Sequence, residues 1–206
     1  MYSTVRIFAA VINRNVLHRV GLIALALTLT ETCGAQTLGG FMGFDWHDEI
    51  GLDKSIMSQL PGVHYNVSKS NENLLIFDNV EWMGIRTSSV VLVYCPEGLF
   101  QAWATFEVKA LDAMQLFQRI RKKIVKKYGQ STQSTIRFES PYKAGDGREV
   151  EACASGKAKI IIFWKFKDGN HVCLTLTKTG YVFLVFINRE MSDQYDQYTL
   201  SKRIGQ

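Results

Sequence analysis

The chain has 206 residues, of which 47% are hydrophobic and 12% aromatic, so a sizeable core can be buried. Its 24 basic side chains against 19 acidic ones give a net charge of +5. Such a mild excess excludes the charge pattern of a nucleic-acid-binding protein, and no nucleic-acid partner is expected.

The first predicted element is a signal peptide over residues 1–35. Three arginines and no acid precede a short uncharged run, residues 21–30, which is about half the ~20 residues that a membrane-spanning helix needs. Small residues Cys33 and Ala35 then occupy the −3 and −1 positions of a cleavage site before Gln36. We therefore expect an exported protein that is periplasmic or secreted.

Two alternatives to cleavage remain open for the N-terminal run. It can be a buried helix of the folded protein, or Cys33 can carry the lipid of a lipoprotein anchor. The residues just before Cys33, Thr-Glu-Thr, are not the small or apolar ones that a lipoprotein site would have. Cleavage before Gln36 leaves 21 basic and 18 acidic side chains in 171 residues, a length that suits one domain, with no second apolar run able to span a membrane.

The next elements are a short helix and three strands. Asp45 or Asp48 can cap a helix that runs through Gln59 and ends at the Pro61-Gly62 pair. Its predicted apolar side consists of Ile50, Leu52, Ile56, Met57 and Leu60. β-branched and aromatic content then predicts strands over residues 73–85, 88–95 and 99–108.

The third of these strands supplies the first candidate binding residue. Alternation places Phe100, Ala102, Ala104 and Phe106 on one face and Trp103 on the other. If the first face packs against the core, Trp103 lies on a candidate open face of the sheet.

A long helix is predicted over residues 110–129, with Gly129 as its C-terminal stop. Apolar residues recur at spacings of three and four, at Leu111, Met114, Phe117, Ile120, Ile124 and Tyr128. The same helix carries six basic residues: Arg119, Arg121, Lys122, Lys123, Lys126 and Lys127. This strip either binds an acidic protein, anionic lipid or glycan, or is simply the solvated side of the helix. We take Arg119, Lys122, Lys123 and Lys126 as its candidate binding residues.

The second half repeats this order of elements. Strands are predicted over residues 159–166, 171–176 and 181–188, followed by a helix over 192–204 capped by Ser192 or Asp193. At an offset of 82 residues, Trp82 falls on Trp164 and Gly98 on Gly180. The pattern predicts an α+β fold, residues 36–206, in which a β-β-β-α unit occurs twice (about 40–129 and 130–206) and helices cover one side of an antiparallel sheet.

The opening FMGFDW, the three-strand meander and the helix ending in IVKKYG resemble a loose set of uncharacterised exported bacterial proteins. Those proteins open with a Gly-x-x-Trp-Gly type of motif and end the helix with Tyr-Gly or Phe-Gly. The resemblance covers most of residues 36–206, although His47 stands where the motif has glycine. It implies a fold and a compartment, and no activity.

Two groups of residues are candidates for a metal-binding or catalytic site. Asp45, His47, Asp48 and Glu49 could bind a metal or move protons, but they lack the spacing of a known metal motif and are also what the acidic start of a helix looks like. His171 and Cys173 share one face of a strand at about 6–7 Å, too far apart for a nucleophile and its base.

Three cysteines, Cys95, Cys153 and Cys173, remain after cleavage. We expect no disulfide among them, and core positions for Cys95 and Cys173.

These observations predict no catalytic residue, no metal and no cofactor. The expected function is non-catalytic binding, of the inhibitor, immunity or envelope-assembly type, with another envelope or exported protein, one with acidic character in particular, as partner. The alternative is a periplasmic hydrolase that uses a histidine with a carboxylate or a cysteine.

Overall fold

The computed structural model describes residues 37–107, 112–177 and 180–204, so the predicted signal peptide lies outside the described residues. In chain order the described elements are β1 (Gly40–Phe41), β2 (Phe44–Asp45), α1 (Ile50–Ser58), β3 (His64–Tyr65), β4 (Leu74–Asp78), β5 (Glu81–Trp82), β6 (Ile85–Arg86), β7 (Ser89–Cys95), β8 (Gly98–Phe106), α2 (Ala113–Tyr128), β9 (Gln133–Phe138), α3 (Glu149–Ala154), β10 (Ala158–Lys165), β11 (His171–Leu176), β12 (Val182–Ile187) and α4 (Arg189–Ile204).

Eight of the strands form one sheet in the order β3-β4-β7-β8-β12-β11-β10-β9. Every neighbouring pair in it is antiparallel. The remaining strands form two small hairpins, β1–β2 and β5–β6. The predicted α+β class with an antiparallel sheet is therefore confirmed.

One side of the sheet, the core face, is fully covered. Its side chains alternate with those of the other side along each strand, and all of them are buried. They are Leu75, Phe77, Val90, Leu92, Ala102, Ala104, Phe106, Ile160, Ile162, Trp164, Val172, Leu174, Leu176, Val182, Leu184 and Phe186. Phe100 is also buried, so the face predicted for the third strand is confirmed.

All four helices lie on the core face. Helix α2 packs against β11 and β12, where the rings of Tyr128 and Phe186 have centroids 6.3 Å apart. Helix α4 packs against β8, with the rings of Tyr195 and Phe100 5.1 Å apart. Helix α3 lies against β10 and α2, and α1 lies against β3 and β4. Helices on one side of the sheet were predicted, and the structure confirms them.

Each half of the chain contributes one three-strand meander to the sheet. Strands β4, β7 and β8 form one meander, β10, β11 and β12 form the other, and the last strands of the two meanders pair in the centre. The offset of 82 residues places Ser89, the first residue of β7, on His171, the first residue of β11. Each meander is followed by a long helix. This order agrees with the predicted repeat, and the equivalence of the two halves stays a prediction.

The start of α1 differs from the prediction. The helix begins at Ile50, its N-cap residue is Glu49, and no side chain caps it. The Asp48 carboxylate instead accepts a hydrogen bond from the backbone N–H of Asp45 at 2.8 Å, which closes the turn before the helix. Leu60, predicted on the apolar side, is 37% exposed because the helix ends before it.

Other boundaries also differ. The predicted strand over residues 73–85 breaks into β4 and the β5–β6 hairpin, because Asn79 and Met83 adopt positive φ angles of 61° and 49°. Helix α4 begins at Arg189, and its cap is Asn188, whose side-chain oxygen accepts from the N–H of Met191 at 3.2 Å. Ser192 and Asp193 lie inside the helix.

The three cysteines are free, as predicted. Cys95 is buried, but Cys173 is only half-buried, and its prediction as a core residue was wrong. Cys153, for which no core position was predicted, is buried in α3.

Candidate protein-binding surfaces

The side of the sheet opposite the core face, here called the outer face, is the first candidate site. None of the four helices packs on it, because all four lie on the core face. Strand registers bring a continuous group of apolar side chains together there, most of them half-buried by their neighbours on the sheet. They are Leu74, Ile76, Val91, Val93, Trp103, Ile161, Phe163, Cys173, Phe183, Val185 and Ile187.

Trp103 occupies the middle of the outer face. It belongs to β8, a central strand, and lies directly across from Val91 on β7 and Val185 on β12. It is half-buried, so part of its ring reaches solvent. Trp103 therefore lies on the side that alternation predicted, with apolar neighbours across the strands and with Gln101 and Thr105 beside it along β8.

Charged residues occupy the border of the outer face, not its middle. Lys159, Lys165 and Arg137 lie on its side at β10 and β9, and all three are exposed. The opposite border, at β4, carries Asp78, which accepts a hydrogen bond from the Asn66 amide at 2.9 Å. One border thus carries three cations and the other a single carboxylate.

His171 lies at the end of β11 on the same face, 6.4 Å between ring centroids from Phe163. Burial lowers its pKa, and the nearby positive charges of Arg189 and Lys165 lower it further. Its imidazole is therefore neutral at neutral pH and adds no charge to the apolar surface.

The basic strip of α2 is the second candidate site. Arg119, Lys122 and Lys126 are exposed and Lys123 is half-buried. They lie on the side of the helix away from its buried residues, which are Ala113, Phe117, Ile120 and Ile124. The Arg119 guanidinium donates to the carbonyl of Gly84 at 3.2 Å, and within the described part of the chain none of the four forms an ion pair.

The structure separates the two groups of predicted binding residues. Trp103 projects from the outer face, whereas the basic strip lies on top of the helix layer, beyond the core face. The sheet and the helix layer stand between them. Trp103 and the basic strip therefore form two separate surfaces and not one binding site.

His47, one of the residues considered for metal binding or proton transfer, lies near Glu97 and Cys95. A hydrogen bond from the Cys95 thiol lowers the pKa of Glu97, and the charge of the nearby His47 lowers it as well. Burial, and then the hydrogen bond to Glu97, raises the pKa of Cys95 to about 11. Cys95 is therefore a thiol at neutral pH, and a thiol is a poor nucleophile. The adjoining depression of about 140 Å³ is lined by Cys95, Pro96, Glu97, Gln194 and Tyr195.

Cys173 and His171 share the outer face, as alternation predicted. Burial raises the pKa of Cys173 to about 11, so this thiol is also protonated at neutral pH. Across the described residues, no three or more His, Cys, Asp and Glu side chains come close enough together to hold a metal ion. The same part of the chain contains no helix that combines the length and the apolar character needed to cross a membrane.

Comparison with known proteins adds no relative. No protein-family model, no curated protein and no solved structure matches the chain significantly.

The sequence analysis assigned Trp103 to an open face of the sheet, and it did not predict the other residues of the outer face. The available signal was the continuous apolar runs KIIIFW (159–164) and YVFLVFI (181–187), which do not alternate with polar residues. Strands that are apolar on both sides are typical of sheets covered on both sides. Here the described helices cover only one side of the sheet.

Proposed function

We propose that the chain is an exported, non-catalytic protein-binding protein, periplasmic or secreted, of the inhibitor, immunity or envelope-assembly type. Its partner is another envelope or exported protein, and its main binding surface is the outer face around Trp103.

The observation that carries this proposal is the continuous apolar surface on a sheet face without a helix. An antiparallel sheet with one solvated face normally alternates apolar and polar residues, so that its outer side is polar. Here the two middle outer positions of β10, Ile161 and Phe163, and the outer positions of β12, which are Phe183, Val185 and Ile187, are apolar. Contiguous apolar surface larger than a few hundred Å² marks an interaction site in soluble proteins.

The shape of the surface favours a macromolecule over a small ligand. Sites for small molecules are concave and enclose about 300–1,000 Å³. The depression beside Cys95 holds about 140 Å³ and lies at the β7–β8 turn, away from Trp103. A broad apolar surface with a charged border has instead the composition of a protein–protein interface, in which an apolar centre is surrounded by a polar rim.

The basic strip of α2 supports a partner with acidic character. Four cations, Arg119, Lys122, Lys123 and Lys126, lie on one solvent-facing side of the helix. Adjacent like charges destabilise a helix by a few tenths of a kcal/mol per pair, and an acidic partner would relieve that repulsion. Such a contact adds association rate and selectivity more than affinity.

Site-directed photocrosslinking tests this function in cells that export the protein. A photoreactive phenylalanine derivative at Val185, in the middle of the outer face, is expected to form a covalent adduct with a protein. The same group at Ser134, which projects from the exposed strand β9 on the core-face side, is the matched control and is expected to form none.

The adduct is expected in the exported fraction, on a chain that begins at or within a few residues of Gln36. If position 185 gives no more adduct than position 134, the outer face binds no protein and the proposal fails. A chain that retains residues 1–35 in the adduct would contradict export by cleavage.

A further inference from the structure

We infer that the occupant of the outer face is a second copy of this chain, packed sheet to sheet as a two-fold symmetric dimer. This inference rests on the proposed function and narrows it: the exported protein on the outer face is the chain itself, and a partner with acidic character would bind at the basic strips of α2. Three properties of the face favour a second copy: its area, its twist and the distribution of charge along its border.

The area is sufficient for a stable dimer. The outer face extends across six strands, from β4 to β10, over about six residues of each, and its apolar side chains alternate in places with polar ones such as Gln101, Thr105 and Thr175. With strands ~4.8 Å apart and a rise of ~3.3 Å per residue, its projected area is about 570 Å². Two copies would cover roughly 1,100 Å² of projected area, and side-chain relief raises the accessible area lost into the range of a standard interface, about 1,200–2,000 Å².

The twist of the sheet is compatible with a second sheet as the covering element. Adjacent strands are rotated by roughly 20–25°, so a sheet face is saddle-shaped. Two sheets of the same twist pack face to face with their strands about 30° from parallel and their side chains interdigitated. A second copy has the required twist because it has the same fold.

The charges on the border select one orientation of the two copies. In a dimer whose two-fold axis runs parallel to the strands between β8 and β12, β4 of each copy lies over β10 of the other. Strand registers place Asp78 on β4 level with Ile161 on β10, one side-chain position from Lys159. The Asp78 carboxylate of each copy therefore lies near Lys159 of its partner. A two-fold axis that runs across the strands would instead place β10 of one copy over β10 of the other. The basic residues Lys159 and Lys165 of the two copies would then lie close together.

The same axis brings the central residues into contact. Trp103 and Val185 are cross-strand partners on β8 and β12, the two strands that flank the axis. Each Trp103 then lies over Val185 of the other copy. Buried tryptophans at the centre of an interface contribute a large share of the binding energy. The basic strips of α2 remain on the outside of such a dimer, one on each copy.

Sedimentation equilibrium of the protein purified from exporting cells tests the inference. Between about 1 and 100 μM, the wild-type protein is expected to have twice the mass of the mature chain. The Trp103→Glu variant is expected to dissociate, with its dimer dissociation constant raised at least ~100-fold, because two carboxylates would be buried at the centre of the interface. Gln115→Glu, which adds the same single negative charge at an exposed position of α2, is the matched control and should leave the dimer unchanged.

Circular dichroism checks that both variants are folded. A wild-type protein that stays monomeric throughout this range overturns the inference. So does a dimer that Trp103→Glu leaves intact, because its interface would lie elsewhere.

An adduct from position 185 of a mass other than that of two chains would place a different protein on the face. In that outcome the proposed function stands and the second copy is excluded. If neither a dimer nor any adduct is found, the inference and the proposed function both fail.

Discussion

The Phe117→Ala variant is expected to lower the free energy of unfolding by about 3–5 kcal/mol, as other truncations of large buried aromatic residues do. Phe117 is 0% exposed and lies on the side of α2 that packs against β11 and β12. Removing its ring deletes apolar contacts and leaves a cavity that the stiff sheet below cannot close. Urea denaturation followed by circular dichroism measures the change.

The matched control is Lys122→Ala, on the exposed side of the same helix. It removes a side chain of similar length without touching the core, and the expected change is within about 0.5 kcal/mol. Equal effects of the two substitutions would mean that α2 presents a different side to the sheet.

The Gly98→Ala variant is expected to lower the free energy of unfolding by about 2–4 kcal/mol through backbone strain and overpacking. Gly98 has a φ of 120°, and a Cβ there would lie 2.5 Å from the Cα of His47. The segment that contains His47 cannot move away freely, because backbone hydrogen bonds hold it to β8. His47 donates to the carbonyl of Leu99 at 3.2 Å, and Leu99 donates to the carbonyl of Asp48 at 3.0 Å.

Gly51→Ala is the matched control for this substitution. Gly51 lies in α1, where an added Cβ meets nothing within 4 Å. Alanine in place of a helical glycine is expected to raise the free energy of unfolding by about 0.4–1 kcal/mol. Thermal unfolding of both variants measures whether each substitution lowers or raises the stability of the protein. A Gly98→Ala variant as stable as the wild type would contradict the close approach of residues 47 and 98.

The central parts of the fold could be predicted because their sequence patterns are strong. The apolar spacing of α2 and the β-branched runs of β7, β8, β11 and β12 specify type and approximate position. Strand β9 was missed because its sequence, QSTIRF, is mostly polar and exposed at the edge of the sheet. Helix α3 was missed because six residues do not carry a helical period. The early start of α4 follows from the Asn188 side chain, which lies four residues before the predicted cap Ser192 and accepts a hydrogen bond from the N–H of Met191.

The candidate site could be predicted only in part. Alternation along β8 assigned Trp103 to the side opposite Phe100 and Ala102. It gave no information on whether other strands would extend an apolar surface around Trp103, because that depends on register and strand order. The separation of Trp103 from the basic strip also depends on topology, since α2 crosses from β8 to pack over β11 and β12.

The most direct test of the account is the reactivity of the Cys173 thiol in native protein diluted below the concentration at which it associates. Burial raises the pKa of both Cys95 and Cys173 to about 11, so neither is activated as a thiolate and a comparison of their labelling by a maleimide is between two protonated thiols. Cys173, on the outer face, is expected to be labelled at least ~10-fold faster than Cys95 and Cys153 in the native protein. After unfolding, all three cysteines are expected to be labelled. Labelling of Cys173 as slow as that of Cys95 at every dilution would show that the chain covers its own outer face, and would contradict the proposal that this face is a binding surface.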